Sequence, residues 1–253
     1  MPITALLFDM DSTLIDIDEM LFSKTYFKLL HDCYFSDFDL GYFCDSLTDI
    51  TRTIMIGKTS KELAIETFVR EMAKRYKREP NKLQEDLFNF YNNEYNKLNP
   101  FVRPMKGVKK MLKHAFNEGY DVVVATTPVF PEVAIRKRLK WGGLEKFNFK
   151  LVTHAENMHF SKPKKEYYQE ILKAIDKRVE ECIMIGNEFM GDIVGPTRMG
   201  MKTFYCPRPS ANDDLFVSPE LRRFSKIKPT YNGTINDFAK MMVNGLIKQK
   251  SKK

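Results

Sequence analysis

The chain places carboxylates where a buried segment has just ended. Ile3 to Phe8 is an apolar run, and it leads into Asp9 and Asp11, with a hydroxyl at Thr13. Acids that follow a buried strand are costly unless something offsets their charge. Three other apolar runs end in polar loops. "VVVA" is followed by Thr126 and Thr127, and "LVT" by a loop that ends in Ser161, Lys162 and Pro163. "CIMI" is followed by Gly186, Asn187 and Glu188, with Asp192 closing the loop. In an open parallel sheet, ligands bind beyond the carboxyl ends of the strands. If these runs are neighbouring strands, their loops bring carboxylates, hydroxyls and one lysine to a single point. The acids would then be offset by a cation and by Lys162. Each loop alone is an ordinary turn or cap, but four of them in order, each at a strand end, are hard to produce by chance.

The elements that must position these residues are legible from Pro104 onward. Residues 104–119 have helical spacing at Met105, Val108, Met111, Leu112 and Ala115, and stop at Gly119. Residues 120–126 read as a buried strand. Pro131 opens a helix that ends at Gly142 and Gly143. A short strand at 149–153, a helix over 162–177 and a strand at 182–186 follow. A short helical turn at 192–200 and a strand at 202–206 complete the alternation. Continuous apolar strands alternating with helices predict an α/β fold, a doubly wound parallel sheet covered on both faces. Residues 17–102 show no such strand. They hold aromatic-rich helical stretches at 19–34, 60–76 and 81–98, which predicts an all-helical insert. The α/β core is then discontinuous, 1–16 and 103–253. Residues 207–236 read as irregular, before a final helix at 235–249.

Three features resemble sites and are set aside. Asp9, Asp11 and Thr13 match the start of a calcium loop, but Leu14 stands where glycine is required and Met20 where glutamate is. "GKTS" at 57–60 resembles the end of a phosphate-binding loop, but Arg52 occupies the first glycine position. Thr59 and Glu62 fit a helix capping box better. His154, Glu156 and His159 lack metal-ligand spacing and read as a polar loop.

Composition narrows the function classes. The chain has 253 residues, 43% of them hydrophobic and 13% aromatic, enough for a real core. No apolar run approaches the ~20 residues that cross a bilayer. Cys33, Cys44, Cys182 and Cys206 form no close pair and read as reduced thiols of a cytoplasmic protein. The net charge of +8 is scattered, partly in the C-terminal "IKQKSKK". It carries no interleaved aromatic–basic motif, so neither nucleic acid nor a membrane is expected as a partner. Asn232-Gly233-Thr234 fits a glycosylation signal and is read as a turn.

The motif set resembles the haloacid dehalogenase-like superfamily of hydrolases. "FDMDSTL" is similar to its first motif, two aspartates flanking one residue with Thr or Val two further on. Thr126 is similar to the second motif, Lys162 in "FSKP" to the third, and "IGNEFMGD" to the fourth. The resemblance spans Ile3 to Cys206 apart from the insert, which corresponds to a helical, C1-type cap on a Rossmann-like core. It implies a magnesium-dependent phosphatase that hydrolyses a small phosphorylated metabolite through an aspartyl-phosphate. Asp9 would be the nucleophile and Asp11 the acid and base. Thr126, Thr127 and Lys162 would hold the phosphoryl group. Asp9, the Asp11 carbonyl and the loop with Asn187, Glu188 and Asp192 would hold the metal, with Asp192 the surest acid of that loop. Two positions depart from the pattern: Asn187 stands where an aspartate is usual, and Thr127 where asparagine is frequent. A phosphotransferase or mutase of the same chemistry, a metal-free dehalogenase and a non-catalytic binding protein on this scaffold are the alternatives. Substrate choice would come from the cap, where Lys24, Arg52 and Lys58 are candidates.

Overall fold

The computed structural model describes residues 1–57, 61–207, 224, 226–245 and 247. Among these residues the central sheet has six parallel strands. Their spatial order is β5 (Leu151–Val152), β4 (Asp121–Val124), β1 (Ala5–Phe8), β6 (Cys182–Gly186), β7 (Lys202–Tyr205) and β8 (Tyr231–Asn232). Successive side chains of a strand point to opposite faces, and here both faces are covered. Leu6 and Phe8 of β1, with Val122, Val124, Ile183 and Ile185, pack toward α5 (Val108–Asn117) and α9 (Ile235–Val243). Ala5 and Leu7, with Val123 and Met184, pack under α7 (Lys165–Ile175). That double coverage is why the central strands are apolar without alternation. The register sets Phe8 opposite both Val124 and Ile185, so Asp9, the Thr126 loop and the Asn187 loop leave the sheet together.

The chain leaves the core through β2 (Ile15–Ile17) and returns through β3 (Val102–Pro104), paired antiparallel. Between them lie α1 (Glu19–Tyr34), α2 (Leu40–Ile56), α3 (Ala64–Tyr76), α4 (Pro80–Asn92) and a 3-10 stretch, Glu94–Phe101. Asp18 and Asp39 cap α1 and α2 by accepting the N–H groups of Leu21 and Tyr42. The helix α2 was not among the three stretches the periodicity predicts. Its buried positions Phe43, Leu47, Ile50 and Ile54 are helically spaced, but Thr48, Thr51 and Thr53 dilute the propensity. The capping box expected at Thr59 lies partly outside the described residues. The helix α3 begins later, with Glu66 Oε2 accepting the Leu63 N–H at 2.7 Å, while Glu62 bonds Thr67 and Arg70.

The aromatic stripes of the insert meet one another. Tyr26, Phe90, Tyr91 and Tyr95 form one ring cluster, and Phe35, Phe43 and Tyr76 another. The insert also sits against α6 (Glu132–Trp141) of the core. Trp141 stacks on Tyr95 at 5.6 Å, and Lys137 Nζ donates to the carbonyls of Tyr91 and Asn92 at the end of α4, both at 2.7 Å. The Ala64 and Ile65 N–H groups donate across to Met158 and Ala155.

Other readings meet the structure at the edges. The stretch read as irregular contains β8, and Asn232 is a strand residue followed by Thr234, the cap of α9. The final helix runs to Val243, with Asn244 at its end, and residues 246, 248 and 249 of the stretch read as helical lie outside the described residues. After β6 comes a widened helical turn, Phe189–Val194, continued by α8 (Gly195–Arg198). All four cysteines are free, and burial pushes the Cys182 and Cys206 thiols up to about 12. Among the described residues no helix is long and apolar enough to cross a membrane.

Candidate active site

Asp9 is the first residue beyond β1, with its N–H bonded to the Ile185 carbonyl at 2.8 Å. The chain then reverses tightly. Leu14 and Ile15 both donate to the Met10 carbonyl, and Ser12 takes a left-handed conformation, φ 65°. The reversal keeps Asp9 and Asp11 at the strand end. Thr126 is set by its carbonyl, which accepts from Thr153 Oγ1 and from the Tyr167 hydroxyl, both at 2.8 Å. The neighbouring Tyr168 hydroxyl bonds the Gly191 carbonyl. Two adjacent tyrosines of α7 thus position the second and fourth loops.

Lys162 lies between two carboxylates. Its Nζ is 2.7 Å from Asp9 Oδ1 and 2.6 Å from Asp192 Oδ1, and the side chain is 1% exposed. Burial pulls the ammonium down, but Asp192 and Asp9 outweigh it and hold Lys162 well above its ordinary range. Asp192 is fully buried, and its Oδ2 accepts the Glu188 N–H at 2.9 Å. Both of its oxygens are therefore engaged inside the loop. Gly186 and Gly191 leave room for this arrangement. A Cβ at Gly186 would fall 2.1 Å from Asp192 Oδ2, and one at Gly191 would fall 2.9 Å from Lys162 Cδ.

Asn187, not Asp192, is the loop residue that meets the first motif. One end of its amide stands 3.0 Å from the Asp11 carbonyl, 3.3 Å from Asp9 Oδ2 and 3.0 Å from Thr13 Oγ1. With nitrogen at that end, the amide donates to all three. With oxygen there, it accepts from Thr13 and adds a third oxygen beside those of Asp9 and Asp11. Its separations from the other two, 3.0 and 3.3 Å, are close to the ~3 Å edge of an octahedral magnesium shell with 2.0–2.1 Å bonds. The residues present fit a hard cation, which Asp9, the Asp11 carbonyl and Asn187 would hold.

The Asp11 carboxylate pairs with Arg138 of α6: Nη1 donates to Oδ2. Arg138 is 2% exposed, and its guanidinium lies 4.5 Å from the Phe130 ring centroid and 5.7 Å from that of Phe22. Burial pushes the Asp11 carboxyl above its usual range, Arg138 opposes that, and the charges of Asp9 and Glu19 add to it. Asp9, Asp11, Thr126, Thr127, Asn187, Glu188 and Arg138 line a cleft of about 290 Å³, whose outer wall includes Phe22 and Ser23 of α1. The cleft shares Ile17, Glu19 and Asn187 with a wider groove of about 780 Å³.

The sequence pattern of haloacid dehalogenase-like hydrolases matches residues 6–206. The chain belongs to this family. Among relatives in it, the pyrophosphatase PpaX of Halalkalibacterium halodurans is 27% identical over 204 residues, 80% of this chain and 83% of its own. The fold matches a family phosphatase from Thermococcus onnurineus with a TM-score of 0.58 at 16% identity, covering 95% of this chain and 98% of that one. It also matches the family hydrolase YfnB of Bacillus subtilis, solved bound to magnesium, at 0.56 and 21% identity, covering 96% and 99%.

Within the family's motif positions, the structure brings every sequence-predicted residue to one edge, with Lys162 and Asp192 behind the cleft wall rather than on it. Lys24 and Arg52 are exposed and do not line the cleft, and Lys58 is outside the described residues. His154 pairs with Glu156, and His159 with Glu170, as parts of separate loop networks. Arg138 is the site residue the motifs miss. Its signal lies in the helical pattern: it shares the buried face of α6 with Ala134, Ile135 and Leu139, where a charge is out of place unless paired.

Proposed function

We propose that the protein is a magnesium-dependent phosphatase that hydrolyses a small phosphorylated metabolite through an aspartyl-phosphate on Asp9. The observation that carries this reading is the placement of Asp9 in the cleft lining: one oxygen is bonded to Lys162 and the other stands 3.3 Å from the Asn187 amide. Lys162 neutralises the nucleophile's surroundings without blocking both oxygens, and Asp192 holds the lysine in place. Thr126 and Thr127, which line the cleft with Asp9, would hold the phosphoryl oxygens. Asp9 would attack phosphorus while Asp11 gives a proton to the departing oxygen. Asp11 would then take a proton from the water that cleaves the aspartyl-phosphate. A bound magnesium ion would supply positive charge that offsets the meeting of two anions. The family relationship and the magnesium-bound relative support this assignment. That relative is described as undergoing interdomain movement, which supports a cap that opens for substrate.

The curated relatives named pyrophosphatase favour a second reading, in which the leaving group is phosphate rather than an alcohol. One experiment separates the two. Phosphate release is measured from sugar phosphates, other small phosphomonoesters and pyrophosphate, with and without magnesium. Release from monoesters alone supports the first reading, and release from pyrophosphate alone the second. Asp9→Asn keeps the shape and removes the nucleophile, so release should fall to background. Hydrolysis that survives in Asp9→Asn would refute the covalent mechanism.

A further inference from the structure

We propose that Glu19 is a specificity-determining residue that selects leaving groups by charge, disfavouring anionic ones and favouring those that carry an amine. This deepens the phosphomonoester reading above and rests on it. Glu19 lines both the cleft that holds Asp9 and the wider groove outside it. A leaving group that extends from the phosphoryl group into the groove therefore passes along its side chain. Among the described residues, Arg138 is the one cation on the cleft lining, and its Nη1 is already given to Asp11. Arg103 is the one described cation on the groove lining, against Asp16, Asp18 and Glu19. Lys162 is buried between Asp9 and Asp192. An anion reaching outward from the phosphoryl group thus meets more like charges than opposite ones, and an ammonium meets the reverse.

Glu19 stands in the first turn of α1, where an acid suits the positive end of the helix. That accounts for the charge but not for where it is held. Ser12 Oγ donates to Glu19 Oε1. Ser12 is 4% exposed, follows Asp11 directly and takes the left-handed conformation, φ 65°, that residues with a side chain rarely adopt. Glycine would adopt it freely, but would leave Glu19 without this donor. The turn that carries Asp9 and Asp11 thus ties the Glu19 carboxylate to the site, across the junction with the insert. Specificity rests on repelling the wrong partner as well as on attracting the right one, and a fixed carboxylate at this point does both.

Three phosphomonoesters of similar length test this: 3-aminopropyl, 3-hydroxypropyl and 2-carboxyethyl phosphate. Their kcat/KM values are measured at saturating magnesium, with pyrophosphate alongside. Glu19→Gln should lower the value for the amine and raise that for the carboxylate, each by about 3- to 100-fold, the range for one charge ~6 Å away between the screening of water and that of a protein surface. Glu19→Lys should move both further in the same directions. Ser12→Gly removes the hydroxyl and suits the left-handed turn, so it should move both the same way by less. Raising the ionic strength should narrow the amine-to-carboxylate ratio of the wild type more than that of Glu19→Gln. Damage to the fold or to the chemistry lowers all three substrates together and leaves that ratio where it was. A ratio unchanged in both Glu19 variants would overturn the inference while leaving the protein a phosphatase. Wild-type protein that hydrolyses pyrophosphate faster than all three monoesters would overturn it too. Release from none of these compounds would remove the phosphatase reading, and this inference with it.

Discussion

A single amide sits where a charge is usual in this family, and its two ends make different demands on the site. With nitrogen inward, Asn187 satisfies Asp9 Oδ2, the Asp11 carbonyl and Thr13 without any cation. With oxygen inward it serves as a neutral ligand. Replacing it with Asp removes the donor and adds a negative charge about 3 Å from two oxygens, so the metal-free protein should lose stability and the magnesium-bound protein should gain affinity. The expected result for Asn187→Asp is a lower melting temperature in chelator and a larger upward shift on adding magnesium. The midpoint of the magnesium titration should fall below that of wild type. A Glu188→Gln variant that weakens magnesium more than any change at Asn187 would instead make Glu188 the ligand. Asp192→Asn, which breaks a buried pair with Lys162, should cost stability whether or not magnesium is present.

At the scale of elements, the insert is held by rings rather than by charges. Tyr95 is fully buried, meets Phe22, Tyr26, Phe90 and Tyr91, and stacks on Trp141 across the boundary with the core. Tyr95→Ala should therefore cost about 3–5 kcal/mol in denaturant unfolding. Among the described residues its hydroxyl has no hydrogen-bond partner, so Tyr95→Phe should be neutral or stabilising. The hydroxyls of Tyr26 and Tyr91 bond each other at 2.8 Å, so Tyr26→Phe should cost about 0.5–1.5 kcal/mol. Phe88 is 67% exposed, and Phe88→Ala should change stability by less than about 0.5 kcal/mol. A large loss in Tyr95→Phe would show that the hydroxyl is satisfied after all.

Across the whole molecule, the insert lends Phe22 and Ser23 to the cleft wall and is tied to the core by bonds that an opening motion would break. Ala64 and Ile65 donate their N–H groups to Met158 and Ala155, and Lys137 ends α4. The central strands β1 and β4 have no part in such a motion. If the insert opens while both parts stay folded, the Ala64 and Ile65 amides should exchange hydrogen far faster than those of Leu7 and Val123. Magnesium with a phosphate analogue should slow them selectively, by favouring closure. Protection equal to that of the sheet amides, with and without ligand, would mean that the insert does not open as a body.

The sequence by itself determined the alternation of strands and helices, the helical insert and the set of loops that form the site. Burial on both faces requires apolar runs in β1, β4 and β6, and parallel strands send their ends to one edge. Asp9, Thr126, Lys162 and Asn187 could thus be placed together before any contact was known. The helix α2 was written there too, in Phe43, Leu47, Ile50 and Ile54, but weak propensity hid it. The two-residue strand β8 carries no period to detect, because its pairing comes from β7. Only the tertiary structure decided which partners meet. It set Lys162 between Asp9 and Asp192, gave Asn187 rather than Asp192 the contact with the first motif, and brought Arg138 to Asp11 across 127 positions of chain. A local pattern states which face of a helix is buried. It does not state what waits on the other side, since that depends on how distant elements pack.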